Sequence, residues 1–104
     1  MRKEYNKLIR DNIPIMMELQ DKKFKLHEAT EEEYQQKLQE KLLEEVTEFL
    51  ESPCIEELAD IQEVLNALLY NMQFDDQKLL QEMLVKSVTN GVFSKKLILE
   101  WVED

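Results

Sequence analysis

Apolar residues recur at helical spacing through most of this chain. After Thr30 they fall at Leu38, Leu42, Val46, Phe49 and Leu50, and after Ser52-Pro53 at Ile55, Leu58, Ile61, Val64, Leu65, Leu68, Leu69 and Met72. Steps of three and four place most of each set on one helix face. Thr30-Glu31-Glu32-Glu33 reads as a capping box, with Thr30 as N-cap and Glu33 at N3, and it opens a helix that runs without a breaker to about Glu51. Ser52 as N-cap and Pro53 at N1 predict the start of a second long helix reaching about Gln73. So short a connection makes the two helices antiparallel neighbours. Asp75-Asp76 is placed to cap a further helix through Leu79, Leu80, Met83 and Leu84, ended by Asn90-Gly91, where the one glycine of the chain suits a left-handed C-cap. An N-terminal helix is expected from near Ile13-Pro14 to near Asp21, whereas Lys25 to His27 and Leu97 to Val102 fit short strands or extended arms, the latter also a turn of helix. The expectation is an all-α helical bundle of about four helices in a single domain, residues 1–104. Ile55 and Ala59 lie outside the main stripe of the second long helix, and this surplus of apolar perimeter predicts completion by a homodimer or homotetramer.

Composition narrows the class. A chain of 104 residues with 43% hydrophobic and 35% charged residues suits one ordinary soluble domain. It contains no run of about 18 apolar residues to span a membrane, and Met1-Arg2-Lys3-Glu4-Tyr5 lacks a secretory h-region, so no membrane partner and a cytoplasmic location are expected. The single cysteine, Cys54, has no intrachain disulfide partner and reads as a small buried or half-buried hydrophobe. His27 is also alone.

Charge is distributed unevenly. Glu28 to Glu63 holds thirteen Asp/Glu against two lysines, Met1 to His27 four acids against seven Lys/Arg, and Val64 to Asp104 six against four. An acidic middle between less acidic or basic ends argues against a duplex-binding surface. It fits a cation cluster whose phosphate substrate is held by basic residues from the flanks.

Two carboxylate signatures stand in the acidic middle, Glu44-Glu45-Val46-Thr47-Glu48 and Glu56-Glu57-Leu58-Ala59-Asp60. An acid at i and i+3 puts both on one helix face, and antiparallel packing brings Glu45, Glu48, Glu57 and Asp60 together. Four such carboxylates repel one another too strongly to stay ionised without a hard cation, and magnesium is the first candidate. On a helical wheel Glu45 sits at the edge of the buried stripe and Glu48 one step further out, while Glu40, Glu44 and Glu51 point away. Glu57 falls inside the apolar arc of its helix and Asp60 at its border. A carboxylate there is either a ligand or half of a buried ion pair, and the wheel leaves both open. Glu63, one turn beyond Asp60, is a candidate outer-shell ligand.

The paired motifs resemble the ExxE, spacer, ExxD signature of the all-α nucleoside triphosphate pyrophosphohydrolases, the MazG-like superfamily. Tyr5-Asn6-Lys7-Leu8-Ile9-Arg10-Asp11 followed by Ile13-Pro14, and Gly91-Val92-Phe93-Ser94-Lys95-Lys96, are similar to the end segments of its small phosphoribosyl-ATP pyrophosphohydrolase-like proteins. The chain departs from that group at Asn12, where a lysine is common, and in having one glycine near Gly91 where two are usual. Both departures bear on the substrate more than on the metal, and the histidine-pathway enzyme itself is the weaker match. The resemblance implies magnesium-dependent, or manganese-dependent, cleavage between the α- and β-phosphates of a nucleotide to give a monophosphate and pyrophosphate. Glu45, Glu48, Glu57 and Asp60 would hold the metal, with Glu45 and Glu48 closest to catalysis and Glu48 orienting or deprotonating the attacking water. Lys7, Arg10, Lys95 and Lys96 would contact the triphosphate. Tyr34, Phe93 and Trp101 are candidate stacking partners for a base, with a place in the core as the commoner alternative for aromatic residues. Two other expectations stand beside this one: a non-catalytic helical interaction protein, and a related fold that binds nucleotide without hydrolysing it.

Overall fold

The computed structural model describes residues 1–104. Four helices form and no strand: α1 Ile13–Leu19, α2 Glu31–Glu51, α3 Ile55–Asn71 and α4 Asp76–Asn90. The chain is all-α, with the expected number of helices. It divides into two compact units, Met1–Met72 and Gln73–Asp104. No helix is long and apolar enough to cross a membrane.

In the first unit α2 and α3 pack against each other. Thr30 caps α2 as expected, its Oγ1 accepting from the Glu33 backbone N–H at 3.2 Å. The reciprocal half of the capping box is replaced, because the Glu33 carboxylate engages His27 Nε2 at 3.0 and 3.1 Å. The start of α3 corrects the sequence reading. Ser52 is not its N-cap: its N–H donates to Glu48 O at 3.0 Å, continuing the ladder of α2, so that Ser52 ends that helix. Cys54, in extended conformation, is the N-cap of α3 without a side-chain cap bond, and in the link it is exposed and not buried as expected. The three-residue link still reverses the chain. Asn71 near the end of α3 donates from Nδ2 to Gln35 Oε1 near the start of α2 at 2.7 Å, which fixes the antiparallel register.

Leu38 at 2% exposure and Val64 at 6% form the buried apolar centre of this hairpin. Leu42, Phe49, Ile61, Leu68 and Leu69 are half-buried around them, while Val46, Leu50, Leu58, Leu65 and Met72, expected in the stripes, are exposed. Two helices bury only the facing strip of each stripe, and the edges remain open. The segment before α1 has no regular structure. It is tied to α2 by Lys37 Nζ donating to Asn6 O at 2.8 Å and by Lys7 Nζ at 3.0 Å from Glu44 Oε1. Asn6 adopts φ +48°, a left-handed conformation that asparagine tolerates better than most residues. Lys25 to His27 forms no strand.

The second unit is built on α4, capped by Asp75, whose side chain accepts from Gln77 N–H at 2.9 Å. Gly91 is its C-cap with φ +82° and ψ −170°, an extended positive-φ conformation nearly confined to glycine rather than the left-handed helical one expected. Leu97 to Val102 is neither strand nor helix. No side chain of this unit is buried: Leu80, Leu84, Val88, Phe93, Ile98 and Trp101 are all exposed.

Candidate metal centre

The antiparallel hairpin brings the later part of α2 against the first turns of α3. There Glu45, Glu57 and Asp60 each offer a carboxylate oxygen, and the three atoms lie within 4.8 Å of one another. Glu45 is the buried polar residue of the core, at 6% exposure, and Glu57 and Asp60 are half-buried. Glu45 Oε2 and Glu57 Oε2 are buried without a hydrogen-bond partner. A buried polar oxygen left unsatisfied costs about 1–3 kcal/mol, more when charged. Two such oxygens beside a third carboxylate fit a cation. Oxygens around one magnesium at about 2.1 Å lie no more than about 4.2 Å apart, so small side-chain rotations suffice to close the set.

The choice left open for Glu57 is narrowed by its neighbours. Ion pairs in this region run to Glu44, Glu45, Asp60 and Glu63, and none reaches Glu57. The buried ion pair is therefore not its explanation. Glu48, expected as a fourth ligand, stands outside the three-carboxylate set and is half-buried one turn along α2, because it lies further round the helix than Glu45. Burial pushes the Glu45 carboxyl above its ordinary value of 4.5, and the charge of Glu48 pushes it further, while Lys41 works in the opposite direction. Glu63 is exposed, 4.0 Å from Arg10 Nη1, and is not one of the three.

The basic residues divide. Arg10 Nη2 lies 2.8 Å from Asp60 Oδ1, so the guanidinium expected to meet phosphate stands at the edge of the cluster. Lys7 pairs with Glu44, whose hydrogen bond raises the lysine above 10.5. Glu44 corrects the wheel: it is half-buried and held by two lysines instead of pointing freely to solvent. Burial works to raise the Glu44 carboxyl, but the hydrogen bond from Lys7 and the charges of Lys41 and Lys7 prevail and lower it. Lys95 and Lys96 lie in the second unit, in the exposed segment after α4, with Lys96 at φ +60°. Phe93 and Trp101 share that segment, whereas Tyr34 lines a groove of about 340 Å³ with Glu63, Asn66, Ala67, Tyr70 and Asn71.

Lys41 belongs to the site although the sequence reading gave it no role. Its Nζ is 3.5 Å from Glu44 Oε2 and 3.4 Å from Glu45 Oε1. Its spacing of three and four residues before these acids is the signal that identifies it. The cluster thus carries two resident cationic side chains, Lys41 paired with Glu45 and Arg10 with Asp60, while Glu57 Oε2 has no partner. Compared with known families, curated proteins and solved structures, the chain matches none.

Proposed function

We propose that this chain is a magnesium-dependent nucleoside triphosphate pyrophosphohydrolase of the MazG-like type, cleaving between the α- and β-phosphates. The observation that carries the reading is the convergence of Glu45, Glu57 and Asp60 with two buried, unpartnered carboxylate oxygens among them. These three residues hold the metal, with manganese an acceptable substitute, and Glu63 orders its surroundings from one turn further along α3. The bound ion supplies charge neutralisation at the phosphate oxygens and lowers the pKa of water.

The chain's own groups do the rest. Glu48, outside the ligand set but beside Glu45, accepts a proton from the water that attacks the α-phosphorus. The bond from that phosphorus to the bridging oxygen breaks, and pyrophosphate leaves. Arg10 presents a planar fork suited to two phosphate oxygens, and Lys7 adds a point charge on the same arm. A cytoplasmic location suits such a substrate.

The working particle in this proposal is a homodimer or homotetramer. Supporting it, each unit by itself leaves apolar side chains open to a second copy: the second buries none of its own, and the hairpin of the first leaves Leu50, Ile55 and Leu58 exposed. The function is tested by measuring pyrophosphate release from a panel of canonical and modified nucleoside triphosphates with magnesium, comparing wild type with Glu57→Gln and following orthophosphate as control. Monophosphate with pyrophosphate, lost in the variant, is the expected result. No turnover on any nucleotide, with metal binding equally weak in both proteins, would favour a non-catalytic interaction protein.

A further inference from the structure

We propose that Arg10 is a latch on the acidic cluster: the guanidinium and a divalent cation compete for Asp60, so the N-terminal arm closes the site in the metal-free chain and Arg10 is released when the cation binds. The inference rests on the metal-site reading above and adds an order of events to it.

Asp60 serves two roles in the geometry. It supplies one of the three converging carboxylates, and its Oδ1 receives Arg10 Nη2 at 2.8 Å. The other arm of the fork reaches Glu63 only at 4.0 Å. Arg10 is thus held chiefly by the residue that the cation needs. A guanidinium and a divalent ion on one small carboxylate repel each other, so occupancy by one weakens the other. The remaining anchors of the arm touch none of the three clustered acids: Asn6 O accepts from Lys37, and Lys7 pairs with Glu44. When Arg10 leaves Asp60 the arm therefore stays attached at residues 6 and 7, and only its final anchor swings free. The released fork remains at the mouth of the cluster with its paired donors unoccupied, in the state needed to take phosphate oxygens. Metal binding would thereby prepare the phosphate contact, and a nucleotide arriving before the metal would find Arg10 occupied.

Both partners of the Arg10–Asp60 pair are partly exposed, and pairs of this kind change an equilibrium by no more than about fivefold. The experiment is a manganese titration of the full chain, read by the loss of the free-ion electron paramagnetic resonance signal, on wild type, Arg10→Gln, Arg10→Lys and Lys7→Gln. Circular dichroism confirms equal helicity. Arg10→Gln is expected to bind manganese about three- to fivefold more tightly than wild type. Arg10→Lys, which keeps the charge, should lie between them. Lys7→Gln removes the same charge from the same arm without touching Asp60, and its affinity should change by less than about twofold. Equal affinity of Arg10→Gln and wild type, or an equal gain in Lys7→Gln, would overturn the latch while leaving the metal site standing. Absence of saturable binding in both wild type and Arg10→Gln would instead overturn the metal-site reading, and the latch with it.

Discussion

Replacing Glu45 by glutamine should stabilise the metal-free protein and remove most of its stabilisation by magnesium. Glu45 is almost fully buried, its Oε2 has no partner, and its Oε1 lies 3.4 Å from Lys41 Nζ. Glutamine keeps the shape, removes the buried charge and eases the repulsion from Glu48. Lys41 keeps Glu44 at 3.5 Å. Relief of one poorly satisfied buried carboxylate is worth about 1 kcal/mol, at the low end of the range for such groups because Lys41 already offsets part of the cost. For a domain of this size that raises the midpoint of thermal unfolding by about 4–8 °C. The gain depends on pH. The folded chain holds the Glu45 proton above the ordinary value of 4.5, so between that value and the raised folded one the unfolded state binds fewer protons and wild-type stability falls as pH rises. The advantage of glutamine should therefore be full above the raised folded value and vanish in acid below 4.5. With magnesium at about a hundred times its dissociation constant, wild type should gain about 2.7 kcal/mol and the variant, lacking one ligand, much less, so that the order of stability reverses. The assay is thermal melting by circular dichroism, with a chelator and then with magnesium. A variant less stable than wild type in chelator at neutral pH would refute the reasoning, since Glu45 would then be a satisfied ion-pair partner of Lys41.

Three further outcomes follow from the packing and charges. Leu38→Ala should cost about 2–5 kcal/mol in urea unfolding, because Leu38 is 2% exposed at the centre of the hairpin; a loss below about 1 kcal/mol would place the core elsewhere. Leu84→Glu on the exposed stripe of α4 should shift sedimentation from oligomer to monomer, and a monomeric wild type would contradict the proposed assembly. The Lys7–Glu44 pair has a folded lysine value raised above 10.5 and a folded glutamate value lowered below 4.5, so its contribution is lost as pH rises through the first or falls through the second. The stability difference between wild type and Lys7→Gln should accordingly be greatest between those limits, and a pH-independent difference would argue that the pair is not formed.

The central contact of the site was legible because it depends on local rules. Spacing of i and i+3 within two helices, with a link too short for anything but reversal, brings Glu45, Glu57 and Asp60 together whatever else the chain does. Glu48 was expected to join them as a fourth ligand and does not: it lies one step further round the wheel of α2, and that step is enough to leave it out of the set. What periodicity missed came from groups distant in sequence. Arg10 meets Asp60 across fifty positions, and the arm that carries it also covers Glu44, which a wheel of α2 alone assigns to solvent. The start of α3 was misplaced for a different reason: Ser52 can serve either helix, and its N–H was already committed to Glu48 O. The segments Lys25 to His27 and Leu97 to Val102, whose state the sequence left open, have too few residues for their periodicity to choose one, and neither is helix or strand in the fold.

The proposed reaction is tested most directly by running it in water enriched in oxygen-18 with magnesium and a turned-over nucleoside triphosphate, then locating the label in the products by mass spectrometry. Attack at the α-phosphorus predicts one labelled oxygen in the monophosphate and unlabelled pyrophosphate, with the reaction lost in Glu57→Gln. Label in orthophosphate, or turnover that persists unchanged in Glu57→Gln, would contradict the assignment of Glu45, Glu57 and Asp60 as the metal centre of an α–β pyrophosphohydrolase.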